Sequence, residues 1–344
     1  MAGKSDRVSI VLLTFNRVDD LRKSLQYLTH FGLQYPLYIL DGSNEQNKAV
    51  NQATVQGFND PDIHYLGYPE KLHMGVRIYE GLKHVKTKYT VIWADDDVLV
   101  PSTLEPCADF LEKNPDYSAC IGKTLCLMKL RKPFRFWPTK SYSVLDHLRI
   151  PLNILDEEAV SRYIIYFTCM CLGTGPLFYT VRRTTDQLAT FSYATPEMFY
   201  TSLELLVTSQ TLARGKIKEI PHFMGFRNYG NMSTLESQRE SFASKNPFGD
   251  KDLPVVKKAF VDFVAKNEGV KPELVDYGFD IFWNNPFDPD KRSFARGTPI
   301  EQSIPHAKLM LRLQFFLNLI CPWIIGKIYR FDVKYLTQAA KLKF

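Results

Sequence analysis

Four short apolar runs, each ending in polar residues, constrain this chain more than any other feature. The first is Val8-Ser9-Ile10-Val11-Leu12-Leu13, which runs into Thr14-Phe15-Asn16-Arg17. Pro36-Leu37-Tyr38-Ile39-Leu40 ends at Asp41-Gly42-Ser43, and Ile63-His64-Tyr65-Leu66 leads to Tyr68-Pro69-Glu70-Lys71. Tyr89-Thr90-Val91-Ile92-Trp93-Ala94 closes on Asp95, Asp96 and Asp97. Runs of this length, rich in β-branched and aromatic residues, read as buried strands. Between them lie helix-spaced segments: residues 19–28 with Leu21, Leu25 and Leu28, a segment after the second strand, and residues 75–85. Strands alternating with helices predict an α/β fold with a mainly parallel sheet flanked by helices. Ligands of such sheets collect at the carboxyl ends of the strands, so the four polar endings are expected along one edge.

The acid triplet stands out on that edge. Crowded carboxylates repel unless a cation lies between them, and oxygen ligands suit Mg²⁺ or Mn²⁺ shared with substrate phosphates. The competing reading is a solvated acidic turn before a helix that starts at Pro101-Ser102-Thr103-Leu104-Glu105. In an extended segment neighbouring side chains point oppositely, so Asp95 and Asp97 are expected to share a face.

With 344 residues, 45% of them hydrophobic, the chain can bury the core of one large domain or two. A net charge of +6 favours anionic partners such as nucleotides, acidic glycans or an anionic membrane surface. The excess is too small and too scattered to argue for nucleic acid, and no aromatic-plus-basic RNA signature is present. The six cysteines include no C-x-x-C pair and read as reduced core thiols in a cytoplasmic setting. The polar start at residues 1–7 carries no secretory pattern, and no apolar stretch reaches the roughly 20 residues needed to cross a bilayer.

Residues 117–122 and 175–181 read as strands, residues 195–212 as a long helix, and residues 216–221 as another strand. Residues 129–140 are basic and aromatic and suggest a loop or hairpin, either over the site or simply solvated. Residues 228–246 are rich in Asn, Ser and Gln and read as a loop or linker. Helical character returns in residues 255–265 and 277–287. The expected division is a catalytic unit over residues 1–235 and a helical C-terminal extension over 236–344. In residues 309–335, apolar Leu309, Leu313, Phe316, Leu317 and Ile320 are flanked by Lys308, Arg312, Lys327, Arg330 and Lys334. That pattern fits either peripheral membrane association or packing on the catalytic unit.

The ordered series Val-Ser-Ile-Val-Leu-Leu-Thr-Phe-Asn-Arg, Tyr-Ile-Leu-Asp-Gly-Ser, a helix containing Gly75, and Ala-Asp-Asp-Asp before a proline resembles the family 2 glycosyltransferases. The match is continuous from residue 8 to about 104 and resumes over residues 204–227. The resemblance implies the GT-A fold and a nucleoside diphosphate sugar donor, UDP foremost, used with Mn²⁺ or Mg²⁺. It implies that Thr14, Asn16 and Arg17 wrap the base and ribose and that Asp41 reads the base edge, a task suited to a carboxylate acceptor. A turn-forming role before Gly42 is the alternative for Asp41. His73, Gly75 and Arg77 fall where the family has an Asn-x-Gly helix start suited to diphosphate, with His73 in place of the Asn. Asp95 is assigned to the sugar side and Asp97 to the metal, with Asp96 interchangeable and Asp95 a second metal candidate. Glu204 matches the general base that deprotonates the acceptor hydroxyl, and Glu197 competes with it. Arg227 matches the family arginine after the later strand, where Tyr229 replaces a histidine.

The expected function is therefore inverting, metal-dependent transfer of a sugar to a hydroxyl of a glycan or lipid-linked acceptor, as in polysaccharide biosynthesis. The rival is an inactive nucleotide-sugar-binding or scaffold module of the same fold. A nucleotidyltransferase would need a glycine-rich loop after the first strand, which Thr14-Phe15-Asn16-Arg17 lacks. A response-regulator receiver would need an acidic pair there, also absent.

Overall fold

The apolar runs form the expected strands because both of their faces are covered. In β1 (Val8–Thr14) and β2 (Leu37–Asp41) every residue is buried, which accounts for the lack of polar alternation in their sequences. The computed structural model describes residues 5–130, 141–146, 152–166, 176–228 and 251–284, together with Gln338 and Leu342. The basic-aromatic residues 131–140, most of the 228–246 linker and the 309–335 stretch lie outside the described residues.

The first half alternates β1, α1 (Val18–His30), β2, α2 (Glu45–Gly57), β3 (Ile63–Gly67), α3 (Met74–Leu82) and β4 (Tyr89–Ala94). A two-residue β5 (Val98–Leu99) and α4 (Leu104–Lys113) follow, then β6 (Tyr117–Leu130), β7 (Ser141–Asp146) and α5 (Ala159–Ile164). The chain continues through β8 (Val181–Arg183), α6 (Thr184–Phe191), α7 (Tyr200–Arg214) and β9 (Lys216–Asn228). Among the described residues the sheet order is β3-β2-β1-β4-β8-β6-β9-β5, with β7 paired to β6. The β1, β2, β3 and β4 pairings are parallel, whereas β8 and β5 run antiparallel to their neighbours.

Three expectations about elements need correction. Residues 176–179 form a 3-10 turn and β8 starts only at Val181; Pro176 has no N–H to give a ladder. The long helix begins at Tyr200, not residue 195, because Pro196 disfavours helical geometry at Thr195 and the Phe199 N–H is taken by Asp252 Oδ2 at 2.8 Å. Strand β9 runs on to Asn228, with a register irregularity against β6 that spans Pro221 and His222. His222 is exposed there.

Beyond the sheet, α8 (Asp252–Glu268) and α9 (Pro272–Asn284) pack on α5 and α7. Tyr163 stacks on Phe279 at 4.9 Å and lies 5.0 Å from Phe260. Gly269, at φ +66°, ends α8 in the left-handed conformation that favours glycine. Arg162 ties this layer to the end of α7, donating from Nε to the Leu212 carbonyl at 2.7 Å and from Nη2 to the Ala213 carbonyl at 3.1 Å. Cys107 and Cys120 are buried free thiols. No helix among the described residues is long and apolar enough to cross a membrane.

Candidate active site

Register brings the polar endings together. Thr14 pairs with Asp41 and Leu13 with Ala94, so β1, β2 and β4 end at one level. The Asp95 N–H then donates to the Leu13 carbonyl at 3.1 Å, and Ser24 on α1 donates its hydroxyl to the Asp95 carbonyl at 2.6 Å. After Ala94 the chain turns at once, the Asp97 N–H donating back to the Ala94 carbonyl at 3.3 Å. The expected sharing of a face by Asp95 and Asp97 therefore gives way to another division. Arg17 Nη1 lies 3.1 Å from Asp95 Oδ1 and 2.6 Å from Asp96 Oδ2, while Asp97 Oδ2 lies 2.6 Å from Arg227 Nε. Alternation applies to an extended segment, and this one is a turn.

The triplet is buried: Asp95, Asp96 and Asp97 are 1%, 8% and 5% exposed. Burial pushes the Asp95 carboxyl up to about 8; Arg17 pulls it down and Asp96 adds to the rise. For Arg17 burial disfavours the charge, but Asp95 and Asp96 outweigh it and hold its pKa above the ordinary arginine value. Asp95 Oδ2 has no hydrogen-bond partner among the described residues. A buried acid oxygen without a partner is costly, and a retained proton or a further cation relieves it.

Beside the triplet, the β1 and β2 endings are locked to each other. Asp41, fully buried, accepts from the Ser43 N–H, from Asn51 Nδ2 and from the Tyr65 hydroxyl, each at 2.7 Å. Asn16 adopts φ +54°, donates its N–H to Ser43 Oγ at 2.7 Å and accepts from the Asn44 N–H at 2.9 Å. Asn44 in turn caps α2, accepting from the Asn47 N–H at 2.9 Å. Asp41 is thus an Asx-turn acceptor that shapes the 41–44 loop, and Thr14 is buried beneath it.

Helix α3 brings His73, Gly75 and Arg77 to the same edge. Arg77 is 4% exposed, and its Nε and Nη1 have no hydrogen-bond partner among the described residues. Its guanidinium fills the space beside Gly42, where a Cβ would stand 1.3 Å from Nη1. Burial lowers its pKa, with Asp41 and Asp95 opposing. Lys71 is exposed. Gly75 lets α3 approach α7: a Cβ there would meet Leu203 at 2.7 Å and Ala194 at 2.8 Å.

His73 is the N-cap of α3, its Nδ1 accepting from the Gly75 N–H at 3.2 Å, and it also hydrogen-bonds the Met198 backbone. Burial lowers its pKa below 6.5, Asp252 and Glu197 opposing and Arg77 adding to the fall. As pH falls the unfolded chain takes the proton first, so the cap's contribution is intact above about 6.5 and lost below the folded pKa. His73→Asn, which caps without titrating, is expected to melt with a shallower pH dependence than the wild type between about pH 7.5 and 5.5. Scanning calorimetry across that range checks it; parallel curves would contradict this role.

The later elements close the site from the other side. Antiparallel pairing of Val98 with Phe226 and Leu99 with Gly225 sets Arg227 across from Asp97. That approach needs Gly225, where a Cβ would stand 2.3 Å from the Val98 carbonyl oxygen. The Arg227 guanidinium lies 3.5 Å above the ring of Tyr179, itself edge-on to Trp93 at 5.3 Å. Glu204, 8% exposed on α7, shares this region with Tyr179, Tyr200 and Tyr166. Burial keeps all three phenols protonated, and the Tyr200 hydroxyl hydrogen-bonds Glu204. Glu197 instead lies outside α7, exposed and near His73. Tyr229 lies outside the described residues.

The structure thus gathers Thr14, Asn16, Arg17, Asp41, Arg77, Asp95, Asp96, Asp97 and Arg227 at one edge, with Glu204 beyond Tyr179. Sequence reading missed the residues that brace them: Ser43, Asn51 and Tyr65 around Asp41, and Tyr166, Tyr179 and Tyr200 around Glu204. Among the described residues no group of three or more His, Cys, Asp or Glu is arranged to hold a metal alone. The site nevertheless fits Mg²⁺ or Mn²⁺, which commonly take one or two carboxylates and complete their shell with substrate phosphates.

Comparison with known proteins gives a family match and a fold. Residues 9–160 match the family model described as glycosyl transferase family 2. A protein of Methanocaldococcus jannaschii, "Uncharacterized glycosyltransferase MJ1057", is 22% identical over 179 residues, 48% of this chain. The chain spans 61% of the length of that curated relative. The crystal structure of S. aureus TarS 1-349 superposes with TM-score 0.51 at 15% identity, covering 86% of this chain and 74% of that one. TarS 1-349 in complex with UDP-GlcNAc gives 0.52 at 15% identity, over 82% and 72% of the two chains. The fold is the GT-A fold expected from the sequence.

Proposed function

Residues 9–160 belong to glycosyl transferase family 2, and from that premise we propose that the chain transfers a sugar, with inversion, from a UDP-sugar to a hydroxyl of a glycan or lipid-linked acceptor. The observation that carries the reading is the convergence of three buried carboxylates and three arginines at the ends of β1, β2 and β4, with buried Glu204 beyond Tyr179. A UDP-GlcNAc complex of a protein with the same fold supports the donor class.

In this reading Asn16 and Asp41 shape the loop that receives the base, and Arg77 supplies a buried cation beside it. Exposed Phe15, whose ring lies 6.0 Å from the Arg77 guanidinium, offers an aromatic face at the mouth. Arg17 and Asp95 serve the ribose and sugar side. Asp97, with Asp95 as the second candidate, would hold a divalent cation that offsets charge on the departing diphosphate. Arg227 faces the same leaving group. Glu204 accepts the acceptor's hydroxyl proton as that oxygen attacks the anomeric carbon and the bond to the diphosphate breaks. The C-terminal region from residue 236 is read as an extension whose helices 252–284 buttress α7, the helix that carries Glu204.

The test pairs calorimetry of UDP binding, with and without Mn²⁺, with a UDP-sugar hydrolysis and transfer assay. Mn²⁺-dependent UDP binding and measurable turnover are expected. Binding without hydrolysis or transfer would favour an inactive nucleotide-sugar-binding module.

A further inference from the structure

Each acid of the triplet already faces an arginine of the chain. Arg17 serves Asp95 and Asp96, and Arg227 serves Asp97 across 2.6 Å. Removing one partner of a buried ion pair strands the other, at a cost large enough that neither group stays uncompensated. A divalent cation taken up at Asp97 therefore competes with Arg227 for the same carboxylate, and an anion that arrives with the metal offers Arg227 a second partner. The diphosphate of the donor is the anion that the proposed reaction brings to this edge.

From this we infer that Arg227 is an exchange cation: it holds Asp97 in the nucleotide-free protein and passes to the donor diphosphate when metal and nucleotide bind. The inference rests on the donor reading above. Its surroundings suit such a move. The guanidinium carbon lies over the Tyr179 ring, 3.5 Å from its centroid, and Tyr179 is buried and braced by Trp93. A flat aromatic support lets a planar cation shift while keeping its stacking, and a guanidinium has N–H donors enough for carboxylate or phosphate. The consequence is coupling: metal alone binds weakly because it competes with Arg227 for Asp97, and metal with diphosphate binds as a unit.

The experiment uses the full chain and Arg227→Met, which keeps an apolar stem over Tyr179 and removes the charge. Mn²⁺ is titrated without nucleotide and followed by the loss of its free-ion electron paramagnetic resonance signal. UDP and UMP are then titrated by calorimetry at saturating Mn²⁺. The variant is expected to bind nucleotide-free Mn²⁺ about tenfold more tightly, and UDP about tenfold more weakly, with UMP little changed. Equal Mn²⁺ affinity in both proteins, with UDP binding still metal-dependent, would overturn the exchange and leave the donor reading standing. No Mn²⁺ retained by either protein even with UDP would remove the metal reading, and the exchange with it. Melting curves establish that the variant is folded, and Arg227→Gln replaces it if it is not.

Discussion

Glu204→Gln is expected to lower kcat by about 10²- to 10⁴-fold, the usual contribution of a general base, while leaving UDP-sugar binding unchanged. The amide keeps the size of the carboxyl and cannot take the acceptor's proton. Glu204 is buried beside three protonated tyrosines, one of which hydrogen-bonds it, so its position is fixed by packing. Glu197 is exposed and lies outside the helix, and Glu197→Gln is expected to change kcat by less than about threefold, an effect under 1 kcal/mol. Steady-state kinetics with donor KM measured in parallel separates the two. A kcat loss at Glu197 with none at Glu204 would reverse the assignment.

Asp97→Ala is expected to abolish metal-dependent turnover, a loss on the order of 10³-fold or about 4 kcal/mol of transition-state stabilisation. Here, unlike at Glu204, binding should fail as well: UDP titrations at saturating Mn²⁺ should show affinity no better than without metal. The substitution also strands Arg227 over Tyr179. Asp97→Asn, which retains a polar group of the same shape, therefore accompanies it as a folding control. Unchanged donor hydrolysis or transfer in Asp97→Ala would sink the assignment of Asp97 to the metal.

Much of this site is legible in the chain because it rests on local signals. The four apolar runs become β1 to β4, and their polar endings meet because parallel strands joined by helices must end on the same side of the sheet. The start of α7 was less legible, because Pro196 and the Phe199–Asp252 bond override helical spacing over residues 195–199. The split of the triplet was also hidden. Strand alternation pairs Asp95 with Asp97, but the turn after Ala94 turns Asp96 toward Arg17 and leaves Asp97 to Arg227. His73 stands where the family pattern has Asn and still caps α3, since an imidazole nitrogen and an amide oxygen can accept the same backbone N–H.

By itself the sequence determined the parallel sheet, the edge on which the chemistry gathers and the acids at its centre. Each depends on the side-chain periodicity of a short segment and on the order of segments along the chain. Only the tertiary structure decided which cation faces which acid and which glutamate is buried. Those pairings are made by the antiparallel register of β5 against β9 and by α7 closing over Tyr179, contacts between distant segments that no local periodicity encodes.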